Sequence, residues 1–371
     1  YAGHQHEDQN GFVIHAYGEK LAIDSGWYDW YGSPHFKEYS TLTRAHNAIL
    51  VNEQDQGSRK RGADGRIVTY FDSPAYGYTV GDASDPDMYM GQLKRWDRRA
   101  LFIKPGFVII HDVLDAQKDV ARYDWLLHTV APVETDADTQ TFALTSGGAK
   151  LRGRFISPAD LDLRITRGYP VEPVDGYSTR PVPPERYVDE WTLTATPRGG
   201  RGAEEFLTAM QIERAEGGAD ADIKQIDASG GLGVAIVTGE ESHLALFRSA
   251  GAEGDLQGLL KHGVAETLVR DDAQNVIQVF MADGHAALDA ADDGVFVGFD
   301  ALHAGVALVD QSHQQFAIAA TQVNDGFARL QEHIEYFVRT NNIGTCFCCQ
   351  QGNPACDSMR VFADNGARYI Y

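Results

Sequence analysis

Histidine, acidic and aromatic side chains crowd the opening of the chain. His4, His6, Glu7 and Asp8 come first, and Asp24 is followed by Ser25, Gly26, Trp27, Tyr28, Asp29, Trp30 and Tyr31. His4 and His6 are two apart, so on an extended segment they project to the same side, and a hairpin can bring Asp24 beside them. Two imidazoles and a carboxylate are a typical ligand set for zinc with one position left for water. The plainer alternative is a group of surface histidines satisfied by local hydrogen bonds, and spacing alone leaves both open.

The elements that must position these groups read as strands. Segments rich in Val, Ile, Phe, Tyr and Thr recur between Gly, Asn and Asp turns, whereas 3.6-residue periodicity is scarce. Phe12 to Ala16 and Leu21 to Ile23 flank Gly18-Glu19-Lys20 as a hairpin, and Ala48 to Val51, Ile67 to Phe71 and Leu101 to Ile110 are further strands. Lys104-Pro105-Gly106 is the turn within the last of these. The pattern continues through Tyr123 to Val130, Thr141 to Leu144, Leu151 to Ile156, Leu161 to Ile165, Trp191 to Ala195 and Phe206 to Ile212. Tyr169 to Glu185 carries five prolines among Gly, Ser and Asp, which blocks ladder hydrogen bonding and marks a long surface loop. The expected organisation is all-β. A large antiparallel two-layer sandwich over residues 1–254 precedes a smaller β-sandwich over 255–345 and an unassigned tail over 346–371, with one helical hint at Phe327 to Phe337.

Composition narrows the partners. The chain has 371 residues, 43% of them apolar, enough to bury a large core. Lys and Arg total 32 against 53 Asp and Glu, a formal charge of -21 that repels nucleic acid and anionic lipid. No apolar run approaches the ~20 residues of a membrane helix. The start, Tyr1-Ala2-Gly3-His4, is neither an initiator nor a signal peptide, so the chain is expected to begin inside a longer protein. All four cysteines, Cys346, Cys348, Cys349 and Cys356, lie at the end, so the first 345 residues fold without disulfides. Their spacing misses the paired pattern of zinc ribbons.

The stretch from Gly3 to Gln56 resembles the heparinase II/III-like family. It runs from His4-Gln5-His6-Glu7-Asp8 through Asp24-Ser25-Gly26-Trp27-Tyr28-Asp29-Trp30-Tyr31 to Arg44-Ala45-His46-Asn47. Arg95 to Pro105, Val108 to Asp112 and Trp125-Leu126-Leu127-His128 look like the strands that follow in that family. The resemblance implies an eliminative lyase acting on acidic polysaccharide, alginate or a glycosaminoglycan such as heparan or chondroitin. It also implies an N-terminal α/α toroid, which this sequence lacks, and a secreted or periplasmic setting.

The resemblance further implies a metal, zinc or another divalent ion, held by His6, Asp24 and His46. His4 would lie at the catalytic cleft and Tyr31 would reach the substrate, although Tyr28 and Tyr39 compete for that place. Trp27, Tyr28 and Arg44 are the expected contacts to the sugar chain. Such a lyase removes the proton at C5 of a uronate, which requires neutralising the adjacent carboxylate and stabilising an enolate-like intermediate. With the toroid missing, the alternative is a non-catalytic carbohydrate-binding or structural β domain that retains the zinc site.

Weaker signals read as follows. Gly230-Gly231-Leu232-Gly233 and Pro197 to Gly202 are expected to be turns, and Asp82 to Asp87 a capped surface turn. Arg59-Lys60-Arg61 and the group Arg95, Arg98 and Arg99 are candidate contacts to an anionic sugar, or solvated charge.

Overall fold

The computed structural model describes residues 5–250, apart from 58–62, 73, 75, 118–119, 184–185, 188, 200–201, 219, 227 and 239–240; beyond 250 it describes strand backbones. His4, Arg59 to Arg61, the helical hint at Phe327 to Phe337 and the cysteine side chains lie outside the described residues. The chain divides into two compact units, Tyr1–Ile223 and Lys224–Tyr371.

Fourteen strands build the first unit: β1 (Ile14–Ala16), β2 (Glu19–Ala22), β3 (Ile49–Val51), β4 (Arg66–Asp72), β5 (Tyr76–Asp82), β6 (Leu93–Ile103), β7 (Phe107–Ala116), β8 (Tyr123–Thr129), β9 (Val133–Asp136), β10 (Thr141–Ser146), β11 (Ala149–Ser157), β12 (Leu161–Arg167), β13 (Trp191–Pro197) and β14 (Ala203–Arg214). They form an eight-stranded sheet in the order β4-β5-β6-β7-β14-β11-β10-β9, a four-stranded sheet β12-β13-β8-β3, and the hairpin β1-β2. Every pairing among them is antiparallel.

The two larger sheets stack face to face. Trp96, Ile110, Leu114, Phe206, Met210, Phe142 and Phe155 from one meet Ile49, Val51, Tyr123, Trp125, Leu127 and Leu193 from the other in a single apolar core. Along β11 the burial alternates, with Ala149, Leu151, Gly153 and Phe155 inward. Gly153 has to be glycine, because a Cβ there would sit 2.1 Å from the Phe142 ring, which packs edge-tilted on Phe155 at 5.4 Å.

One buried ion pair stands at the centre of this core. Arg98 donates to Asp112 through Nε at 2.7 Å and Nη2 at 2.9 Å, and the same carboxylate accepts from Trp96 Nε1 and Trp125 Nε1. A charge pair out of water persists only when its remaining donors and acceptors are also met, and here Arg98 Nη1 completes the set on the carbonyls of Asn10 and Asn47. This corrects the expectation of sugar contact: Arg98 and Arg99 are both buried, the latter against the His111 ring.

The second unit is also antiparallel β. β15 (Asp222–Ile226), β17 (Gly231–Thr238) and β18 (Glu241–Arg248) open a six-stranded sheet, and the short β16 (Ala228–Ser229) edges a three-stranded one. Gly231 to Gly233 lie within β17 rather than in a turn; only Gly230, with φ +82, supplies the bend.

Candidate metal centre

The leading segment, irregular with a bend at Glu7 and a turn at Gln9–Asn10, is tied down through alternate residues. Glu7 and Gln9 face the protein. Glu7 N donates to Thr41 O at 2.9 Å, Gly57 N donates to Glu7 Oε2, and Gln9 exchanges two hydrogen bonds with the fully buried Gln56. His6 and Asp8, which alternate with them, bring their ligand atoms near each other.

That side holds His46. It follows a 3-10 turn over Thr43–Ala45 and is 1% exposed. One ligand atom each from His6, Asp8 and His46 lies within 4.8 Å of the other two, and the His6 and His46 rings sit 5.3 Å apart. Asp24 joins from the segment after β2, its Oδ1 2.9 Å from His46 Nδ1. The proximity of His46 holds the Asp24 carboxyl below its ordinary range against the opposing effect of burial. His46 Nε2 is buried and has no hydrogen-bond partner among the described residues, which is costly for a polar atom unless something else binds it.

Asn47 explains why His46 and Asp24 meet. Its amide nitrogen donates to Phe12 O at 2.7 Å and Ile23 O at 2.9 Å, and its amide oxygen accepts from His128 N at 2.7 Å. One side chain therefore ties the first hairpin to β8 and fixes the strand end from which Asp24 projects. His128 is buried on β8 with Nδ1 3.0 Å from Thr192 Oγ1. Burial, then the neighbouring His46, depresses its pKa to about 3, so it is neutral.

Beyond Asp24 the chain turns at Gly26, where φ is +127 and a Cβ would meet Ser40 Cβ at 2.8 Å. An aromatic cluster follows. His35 accepts from Trp27 N at Nε2 and donates from Nδ1 to Val171 O, and its ring packs on Tyr39 and Tyr169. Trp27 lies 5.8 Å from Tyr187, just after the proline-rich loop, and Trp30 lies 5.8 Å from Tyr177 within it.

The remaining expected site residues fall in distinct places. Tyr28 is 97% and Tyr31 73% exposed, open for contact with a ligand. Tyr39 is buried, hydrogen-bonded to Ser25, and its pKa is raised by burial, which removes it from proton transfer at the surface. Arg44 is half-buried with its guanidinium on Asp55, to which its own backbone N–H also donates. Asp8 was missed by sequence reasoning, yet the signal was there: it stands two residues after His6, as His6 stands after His4.

As a donor set, two imidazoles with one or two carboxylates around an orphaned, buried ring nitrogen suit zinc or a similar divalent ion. The donors fit such an ion on chemistry and on proximity.

Comparison with known proteins gives a family and a fold. The family model described as Heparinase II/III-like, C-terminal, matches residues 1–206. No curated protein matches the chain. Similar solved structures include a mutant of the heparan sulfate lyase HepC from Pedobacter heparinus, at 13% identity and TM-score 0.50, covering 72% of this chain and 37% of that one. Another is a heparinase III gene product, at 11% identity and TM-score 0.50, with 72% and 37% covered. At these identities the likeness is one of fold, and the chain spans little more than a third of the length of either.

Proposed function

The chain belongs to the heparinase II/III-like family, matching its C-terminal model over residues 1–206, and on that premise we propose that it is the β-sheet part of a polysaccharide lyase. The substrate is a uronate-containing acidic polysaccharide, alginate or a glycosaminoglycan such as heparan or chondroitin, and cleavage is by β-elimination. The observation that carries this reading is the meeting of His6, Asp8 and His46 within the family-like segment, with Asp24 hydrogen-bonded to the His46 ring at Nδ1. Zinc, bound through His6 and His46 with Asp24 on the same ring, would draw the leading segment onto the hairpin and the His46 turn.

Elimination needs the C5 proton removed while the uronate carboxylate is neutralised, followed by departure of the glycosidic oxygen. The family resemblance assigns the preceding His4 a role at the cleft, and an ion bound to His6 would constrain the segment that carries it. Tyr31, Tyr28 and Trp27 supply ring faces and a hydroxyl for the sugar chain. Tyr39 is sealed in the fold, so the proton-accepting group comes from Tyr31, from His4 or from the α/α toroid that the family places before this region. The strongly negative surface makes nucleic acid and anionic membranes poor partners, and no helix among the described residues is long and apolar enough to cross a membrane. A secreted or periplasmic setting suits a polymeric substrate.

A carbohydrate-binding role without turnover is the second reading. It is favoured by the exposed aromatic surface of Tyr28, Tyr31 and Tyr177. Ultraviolet absorbance of unsaturated uronate products separates the two, measured on alginate, heparan and chondroitin with the chain alone and joined to a family toroid. Product in the joined form establishes the lyase. Retention on immobilised glycan with no product in either form establishes the binding module.

A further inference from the structure

Glu190 closes the loop that precedes β13, and its close partners are neutral donors. Ser25 Oγ donates to Glu190 Oε2 at 2.6 Å, Gly26 N donates to the same oxygen at 3.1 Å, and the Tyr169 hydroxyl is also within reach. Ser25 has one proton and gives it to this carboxylate, so at the 2.6 Å contact between Ser25 and Tyr39 the tyrosine is the donor. Tyr39 in turn reaches Thr192, whose Oγ1 touches His128. A directed chain of hydrogen bonds thus runs from the metal cluster's flank to one carboxylate, which burial makes harder to ionise.

We propose that Glu190 is a positioning residue of the metal cluster: it clamps the Ser25-Gly26 turn and so sets the direction of Asp24 toward His46. The inference rests on the metal reading above. Two facts carry it. The residue held by Glu190 is the immediate neighbour of Asp24, and one carboxylate oxygen takes both the Ser25 hydroxyl and the Gly26 N–H, so it spans the turn. A carboxylate accepts from a hydroxyl and an amide at once, which a single neutral acceptor does less well.

The test measures zinc affinity by chelator competition on the full chain, together with the thermal midpoint of the metal-free protein and the visible spectrum after cobalt substitution. Glu190→Ala is expected to weaken zinc binding by about 10–100-fold, the usual effect of losing a group that orients a ligand. Ser25→Ala should weaken it in the same direction, and Glu190→Gln, which keeps an acceptor oxygen, should recover most of the affinity. The cobalt spectrum should shift in Glu190→Ala and return in Glu190→Gln. A residue that only stabilised the fold would lower the midpoint while leaving affinity and spectrum unchanged. Wild-type affinity in both Glu190→Ala and Ser25→Ala overturns the proposal alone, whereas a wild-type chain that takes up no stoichiometric zinc overturns the metal reading with it. If Glu190→Ala does not fold, Ser25→Ala decides.

Discussion

His46 Nδ1 stands 2.9 Å from Asp24 Oδ1, while the same ring's Nε2 is buried and unpartnered among the described residues. A histidine oriented by a carboxylate at one nitrogen and open at the other is the usual form of a metal ligand. His6→Ala and His46→Ala are expected to abolish stoichiometric zinc, and Asp8→Asn and Asp24→Asn to weaken it by roughly 10–100-fold. Elemental analysis of the purified variants checks this. Full zinc content in His46→Ala would remove the site.

His128 makes stability pH-dependent. Its pKa is about 3 in the fold against 6.5 for a free side chain, so between those values the unfolded chain binds a proton that the folded one does not. By linkage its stabilising effect is complete above pH 6.5 and is lost as the solution is acidified toward the folded value, at up to about 1.4 kcal/mol per pH unit. Urea unfolding of chelator-treated protein should show this loss in the wild type and a shallower one in His128→Gln. Equal acid sensitivity in the two would refute the assignment.

Arg98 and Asp112 should be far more sensitive to single than to double replacement. Arg98→Met leaves a buried carboxylate without its cation and is expected to cost about 3–5 kcal/mol in denaturant unfolding. Arg98→Met with Asp112→Leu should recover part of that. Recovery stays incomplete because Trp96 Nε1 and Trp125 Nε1 then lose their acceptor.

Asn47 makes three hydrogen bonds that join the hairpin to β8. At about 1 kcal/mol each, Asn47→Ala should destabilise the fold by roughly 3 kcal/mol. Asn47→Asp should be worse, since it sets an oxygen against the carbonyls of Phe12 and Ile23. Thermal melts rank the two, and an aspartate variant as stable as the wild type would contradict the hydrogen-bond assignment.

Much of this was legible beforehand, for reasons visible at particular residues. Strands such as β10 and β11 alternate inward and outward side chains, so their pattern is printed in the sequence. β5 was missed because Tyr76-Gly77-Tyr78 looks like a turn-rich break when the glycine is in fact flanked by two buried tyrosines. The pairing of His46 with Asp24 followed from family-like motifs rather than from spacing, because it depends on Asn47 bridging segments far apart in the chain. Arg98 and Arg99 read as surface charge, since nothing local announces that Asp112 lies opposite Arg98 across the β6–β7 register. Glu190 was invisible for the same reason: its partners are 164 and 165 residues away.

The leading segment has one more consequence. Its bonds to the protein include a short row from Glu7 and Gln9 to Thr41, Gly57 and Gln56, made by the residues that alternate with His6 and Asp8. An ion held jointly by His6 and His46 would tie this segment to the His46 turn, so its uptake and release would be coupled to the seating of that row.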